Sequence, residues 1–240
     1  MKKLFLAFLA ATITTGAAFA QKNIKDANAE KRTVGGFHGI EVSTGIVLIL
    51  TEGNTEEVAV SAATTEFRDK IVTKVENGIL KIYYENKLHN MNIQKKEKRD
   101  LKAWVSYKTL DRLNANTGSE VEIEGILKAT SMKMDVNTGA TVKGSVNVND
   151  LEVNQNTGSV VTLTGEAGKL YVEGDTGSRF KGTDLTTNNC NATVTTGADV
   201  YITVQKELNV KANTGGSVKY KGDAGIREIK TNTGGSVSKI

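Results

Sequence analysis

Proline is missing from this 240-residue chain, cysteine occurs once and histidine twice. Each shortage removes a class of protein. A collagen-like helix needs abundant proline. The lone Cys190 can build neither a disulfide scaffold nor a thiolate metal cluster. Neither His38 nor His89 has a partner at metal-ligand spacing, so no metal site and no cofactor is expected. Aromatic residues make up only 5%, which calls for an interior of smaller side chains. No apolar run after the N-terminus approaches the about 20 residues that a membrane-spanning helix requires.

Charge is nearly balanced, with 31 Lys+Arg against 27 Asp+Glu. Two of those lysines, Lys2 and Lys3, open a secretory signal peptide read over residues 1–20. They precede the short apolar run Leu4 to Ala11 and the small-x-small site Ala18-Phe19-Ala20. Cleavage there leaves a net charge of 29 − 27, or +2, which gives no footprint for nucleic acid. The mature chain is therefore expected to be exported, to the periplasm, the cell surface or the medium, with no transmembrane segment. Residues 21–34 carry little patterning and read as a flexible leader.

What is abundant is a repeat. Thr-Gly recurs at Thr117-Gly118, Thr138-Gly139, Thr157-Gly158, Thr176-Gly177, Thr196-Gly197, Thr214-Gly215 and Thr233-Gly234, at intervals of 21, 19, 19, 20, 18 and 19 residues. Asn116, Asn137, Asn156, Asp175, Asn213 and Asn232 precede six of these pairs, and Thr195 the remaining one. Three residues after each Gly stands Val121, Val142, Val161, Phe180, Val200, Val218 or Val237. Five before it stands Leu113, Met134, Val153, Val172, Ala192, Val210 or Ile229.

Each repeat alternates apolar and polar residues on both sides of the turn, which is the pattern of a strand with one buried face. Asn hydrogen-bonds nearby backbone and Gly accepts a positive φ, so Asn-Thr-Gly supplies the turn between strands. A period near 19 is too short for helix-pair repeats or propeller blades of roughly 33 to 45 residues. It suits one coil of an all-β, single-stranded parallel β-helix, a β-solenoid of one domain. The crossover preference of parallel strands makes it right-handed. Leucine-rich repeats share the period, but no leucine consensus or helical segment is present. Seven coils about 4.8 Å apart make a rod of roughly 34 Å. Like residues then stack on like, with Asn and Thr forming ladders along one corner. A folding role accounts for that turn ladder.

The regular coils cover 111–240, and less regular ones are expected over 35–110. Ile40, Val42, Ser43-Thr44-Gly45 and Leu48 repeat the spacing around an eighth Thr-Gly. The 73 residues from Gly45 to Gly118 are close to four repeat lengths. Strand signals fill the interval at Val58-Ala59-Val60, Ile71 to Tyr84 and Ala103 to Tyr107. Asn77-Gly78 marks a hairpin, and Lys95 to Arg99 an exposed charged excursion.

Three stretches carry a family resemblance: Gly36-Phe37-His38-Gly39-Ile40-Glu41-Val42, Val47-Leu48-Ile49-Leu50-Thr51-Glu52-Gly53 and Asn77-Gly78-Ile79-Leu80-Lys81-Ile82. With Leu110 to Gly118 and the Thr-Gly repeats behind them, they resemble the putative auto-transporter adhesin, head GIN domain family over roughly residues 35–240. The resemblance implies an exported bacterial envelope protein with a β-helix fold and no established enzymatic activity. Nothing after Gly234 resembles the membrane barrel of a complete autotransporter.

Catalytic and ligand constellations are sparse. Cys190 shares a column with Met132, Leu151, Leu170 and Leu208, so it reads as a buried apolar substitute. Polysaccharide-cleaving β-helices need converging acids. Asp150, Asp175, Asp184, Asp199 and Asp223 neither recur in one column nor cluster. Alternation turns Tyr171 and Tyr201 outward, turns Tyr220 inward and packs Trp104, which leaves no aromatic platform for a glycan. An ice-binding face would show a flat TxT array, whereas each coil here offers one Thr. The expected function is a non-enzymatic adhesin or assembly scaffold for an envelope protein, surface protein or glycan. The alternative is a protein that binds or degrades polysaccharide. The C-terminal coil, followed by no polar cap, is the expected contact for a homo-oligomer.

Overall fold

A computed structural model describes residues 26–85 and 98–240. The expected signal peptide, the start of the expected leader, His89 and Lys95 lie outside the described residues. The chain begins with β1 (Glu30–Arg32), β2 (Gly39–Val42), β3 (Val47–Glu52) and β4 (Glu57–Ser61). One helical turn, α1 (Thr65–Arg68), leads to β5 (Ile71–Glu76), β6 (Ile79–Tyr84) and β7 (Lys102–Tyr107). From β8 (Arg112–Ala115) the strands lengthen, through β9 (Glu120–Val136), β10 (Thr141–Gln155), β11 (Val160–Gly174), β12 (Arg179–Val194) and β13 (Asp199–Ala212). The last three are β14 (Ser217–Lys221), β15 (Gly225–Thr231) and β16 (Ser236–Lys239).

Among the described residues strand accounts for 66% and helix for 2%, which rules out a leucine-rich-repeat solenoid. Stacked parallel coils of about 19 residues form a β-solenoid of about 7 turns. Each of β9 to β13 bends around the rod and lies in register on the next. The residues after each Thr-Gly turn form a first wall, and the residues before the turn form a second.

Register explains the composition. Leu48, Val121, Val142, Val161, Phe180, Val200 and Val218 stack as one inner column of the first wall, all buried. Leu113, Met134, Val153, Val172, Ala192 and Val210 stack opposite them on the second. Cys190 pairs with Leu170 below and Leu208 above, a thiol filling a leucine's place. Phe180 is the oversized member. Gly182 makes room for it, since a Cβ there would sit 2.4 Å from the Phe180 ring.

The corner is a tight turn repeated in every coil. Thr117 and Gly118 have φ of 52° and 66°, and the Ser119 amide donates to the Asn116 carbonyl at 3.2 Å. Two left-handed central residues closed by that bond make a type I′ turn. Glycine was expected to take a positive φ; the threonine before it does so too. All eight turn threonines, Thr44, Thr117, Thr138, Thr157, Thr176, Thr196, Thr214 and Thr233, lie at φ between 44° and 66°. Coils are joined here by backbone: Gly118 donates to Thr138, Gly139 to Thr157 and Gly158 to Thr176, at 2.9–3.0 Å.

The N-terminal end departs from four successive coils. The Gly45 amide donates directly to the Thr117 carbonyl at 3.0 Å, so these two turns are adjacent in the stack. β2 and β3 are held between β6 and β7 on one side and β8 and β9 on the other. The intervening segment therefore adds one coil beneath the first. The rest of it is an antiparallel cap: β4 on β7, and β5 on β6 across the Asn77-Gly78 turn. Within the stretch read as a leader, Glu30–Arg32 form β1, which pairs antiparallel with β4. Arg68 on α1 holds it there through Glu30 at 2.9 Å.

Replacing Val161 or Val218 with Asp places an unpaired charge among stacked apolar residues. Loss of apolar burial plus carboxylate desolvation should cost about 3 kcal/mol or more. Denaturant titration of either variant checks this; an unchanged midpoint would contradict the column assignment.

Candidate functional site

Three surfaces carry exposed chemistry: the turn ladder, the polar pairs between coils, and the outer face of the first wall. In the ladder, the Asn156 side-chain oxygen accepts from the Thr157 amide at 2.7 Å and from its hydroxyl at 3.1 Å. Asp175 accepts from the Thr176 amide at 2.7 Å. Hydrogen bonding from Thr196 of the next coil, with that from Thr176, holds the Asp175 carboxyl below its usual range. These polar atoms serve the turn itself.

A β-branched residue in the left-handed region clashes with its own carbonyl, at about 1–2 kcal/mol relative to a right-handed conformation. Asparagine tolerates that region and is favoured in type I′ turns. Thr157→Asn should therefore raise stability by about 1 kcal/mol. That corresponds to a Tm increase of about 2–4 °C, measurable by calorimetry.

Candidate acids do not converge. Asp150 faces Lys169 at 3.6 Å, Asp199 meets Arg179 at 3.1 Å in another column, and Asp175 sits in a turn. Asp184 lies within β12 and Asp223 follows β14. Among the described residues no group of three or more His, Cys, Asp or Glu could hold a metal ion. The structure does pair His38 with Asp111, Nδ1 to Oδ1 at 2.9 Å, both half-exposed. They are 73 positions apart, so only the adjacency of β2 and β8 reveals the contact. Cys190 is buried between leucines, and burial pushes its thiol up, away from any nucleophilic role.

Among the described residues Tyr107 is the one large aromatic with an orphaned polar atom, a buried hydroxyl lacking a partner. Burial, with Glu52 nearby, pushes it up to about 12. Since an unsatisfied buried group costs about 1–3 kcal/mol, Tyr107→Phe should leave stability unchanged or raised. A lowered denaturation midpoint would mean that this hydroxyl has a partner.

Trp104 does not pack into the interior. Its neighbours Ala103 and Val105 point inward and are buried, so strand alternation turns the indole out, half-buried. It lies between Ala59 of β4 and Ile49 of β3, with Val47 next along β3 beside Lys102. One coil further, Glu120, Glu122 and Glu124 form an acidic row, and the Thr51 hydroxyl donates to Glu124 at 3.2 Å. Tyr201 stands outward in the same column as Trp104, under Lys219 at 5.4 Å. Six strand spacings, about 29 Å, separate the two rings. Tyr171 is exposed on the second wall and Tyr220 is buried, so the tyrosines make no platform.

Two shallow open depressions lie beside this wall. One of about 430 Å³ is lined by Thr51, Glu52, Glu124, Gly125, Ile126 and Lys128. The other, about 330 Å³, shares Lys128 and includes Asp111 and Ser131. No helix among the described residues is long and apolar enough to cross a membrane, which says nothing of a β-barrel.

Comparison with known proteins supplies the relationship. The family model described as putative auto-transporter adhesin, head GIN domain, matches residues 36–224. The chain belongs to this family. Similar solved structures include a putative adhesin from Bacteroides fragilis NCTC 9343, at 17% identity and a TM-score of 0.76, covering 88% of this chain and 95% of that one. A putative adhesin from Parabacteroides merdae ATCC 43184 aligns at 14% identity and a TM-score of 0.70, over 89% and 95% of the two chains. A putative lipid binding protein from Parabacteroides distasonis ATCC 8503 aligns at 18% identity and a TM-score of 0.64, over 90% and 98%. At such identities the likeness shows the shared fold. No curated protein sequence matches.

Proposed function

We propose that this head GIN domain chain is a non-enzymatic, exported envelope protein whose first wall presents a surface for adhesion or assembly. The observation that carries the reading is the outward cluster of Trp104, Ile49 and Val47, with Ala59 buried at its base, flanked by Lys102 and the acidic row of β9. Aromatic and aliphatic side chains displayed on a rigid sheet, with charges at the margin, provide a central anchor and a polar rim. A wall in which every strand is locked in register presents that cluster with little ordering cost on binding. Family membership and the putative-adhesin relatives support the same reading.

Screens of the purified protein against envelope fractions, glycans and lipid vesicles test it. Binding without turnover is the expected result. Trp104→Ala should weaken that binding about tenfold or more when measured well below the variant's Tm, which falls as the half-buried indole's packing on the sheet is lost. Release of reducing ends from a polysaccharide would overturn the non-enzymatic reading. Binding unchanged in Trp104→Ala would place the contact surface elsewhere.

A further inference from the structure

The two ends of the solenoid are finished differently. At the N-terminal end the first wall closes with the antiparallel strands β4 and β1, and β1 is only Glu30-Lys31-Arg32. The second wall closes with β5, where hydrogen bonds from Lys74 and Lys81 hold the Glu76 carboxyl down to about 2. Short, charged, antiparallel edges of this kind discourage the addition of further strands.

The C-terminal end carries charged residues and a short last strand but no antiparallel cap. β15 pairs only with β13, and β16 only with β14, so the outward backbone edge of each has no strand against it among the described residues. The interior columns also run out here. Ile226 continues the column of Leu208 and is 50% exposed, and Ile229 continues that of Val210 and is 39% exposed. Val237 continues that of Val218 and is half-buried. Both isoleucines sit in inward columns although they are three residues apart. The extra residue is Arg227, because Leu208 pairs with Ile226 and Asn209 with Glu228.

From this end we infer that the protein dimerises tail to tail, with β15 pairing antiparallel to β15 of a second copy about a two-fold axis between Arg227 and Glu228. The sequence Ile226-Arg227-Glu228-Ile229 is self-complementary in that register. Ile226 of each copy faces Ile229 of the other, so both exposed columns continue. Arg227 of each copy faces Glu228 of the other, so the outward charges pair with opposite sign. Their present partners, Glu207 at 3.0 Å and Lys230 at 2.6 Å, are exposed ion pairs that exchange at little cost. A head-to-tail filament would need the capped N-terminal edges, whereas a two-fold arrangement closes after two copies. The inference is independent of the first-wall adhesion surface, and β15 and β16 lie beyond residue 224, where the family match ends.

Sedimentation velocity over a range of concentrations should show a dimer. Ile229→Glu should weaken it about tenfold or more. Arg227→Glu and Glu228→Arg should each weaken it, and the two together should restore it. That restoration separates a lost contact from a misfolded coil. Opposed residues in antiparallel strands have Cα atoms about 4.5–5.5 Å apart, within disulfide reach. A mixture of the I226C and I229C proteins should therefore cross-link on oxidation, and neither alone should. Three results would overturn the inference: a monomer at every concentration, a dimer indifferent to Ile229→Glu, or cross-linking of either single variant alone.

Discussion

Stacking a chain on itself in register requires that every coil turn the same corner at the same height. Here the requirement is met by backbone, through a left-handed Thr-Gly pair whose glycine amide reaches the threonine carbonyl of the next coil. Once that corner is pinned, the side-chain period of two does the rest. Inner and outer residues are assigned for a whole coil, and a slip of one residue would exchange them all. The small residues after the corner follow from the same constraint. Ser119, Ala140, Ser159, Ser178 and Ala198 are buried there, and a Cβ on Gly235 would sit 2.0 Å from the Ala212 carbonyl.

Much of this was legible because it recurs. A residue such as Val161 or Cys190 can be placed from sequence by its neighbours one period away, without any knowledge of the third dimension. The same holds for the apolar columns, the coil length and the outward Tyr171. What escaped is what occurs once. Val47-Leu48-Ile49-Leu50 is apolar at every position, so alternation does not say which residues face out, and Trp104 on the adjacent strand inherits the ambiguity. The His38–Asp111 pair depends on a contact across 73 positions and has no local signature. The threonine conformation was hidden for another reason. A β-branched residue is a poor candidate for the left-handed region, and only the geometry of a stacked corner selects it.

Such a scaffold offers walls and ends, rather than a deep cleft, as surfaces for function. Long in-register sheets give rigid presentation over tens of ångströms, as the spacing of Trp104 and Tyr201 illustrates. Because neighbouring coils share columns, the interior that stabilises the rod is also what holds each outward side chain at a fixed height. Recognition and stability thus draw on different faces of the same strands. Surface residues can change without disturbing the core, which accords with relatives that keep the fold at 14–18% identity.

The position of β2 and β3 has a consequence for how the chain can acquire its structure. Their neighbours on both sides, β6 and β7 below and β8 and β9 above, are all made later in the sequence. A chain emerging N-terminus first therefore carries its earliest coil as an unpartnered segment until β6 and β7 are available, and covered on one side only until β8 and β9 follow. Closing those distant contacts carries a loop-entropy cost before any pairing is gained, and such topologies fold slowly. The regular coils face no such delay, since each one rests on its immediate predecessor and can propagate by nearest-neighbour addition. The foundation of this rod, first in sequence, can set only after the strands that flank it, β6 to β9, have been made.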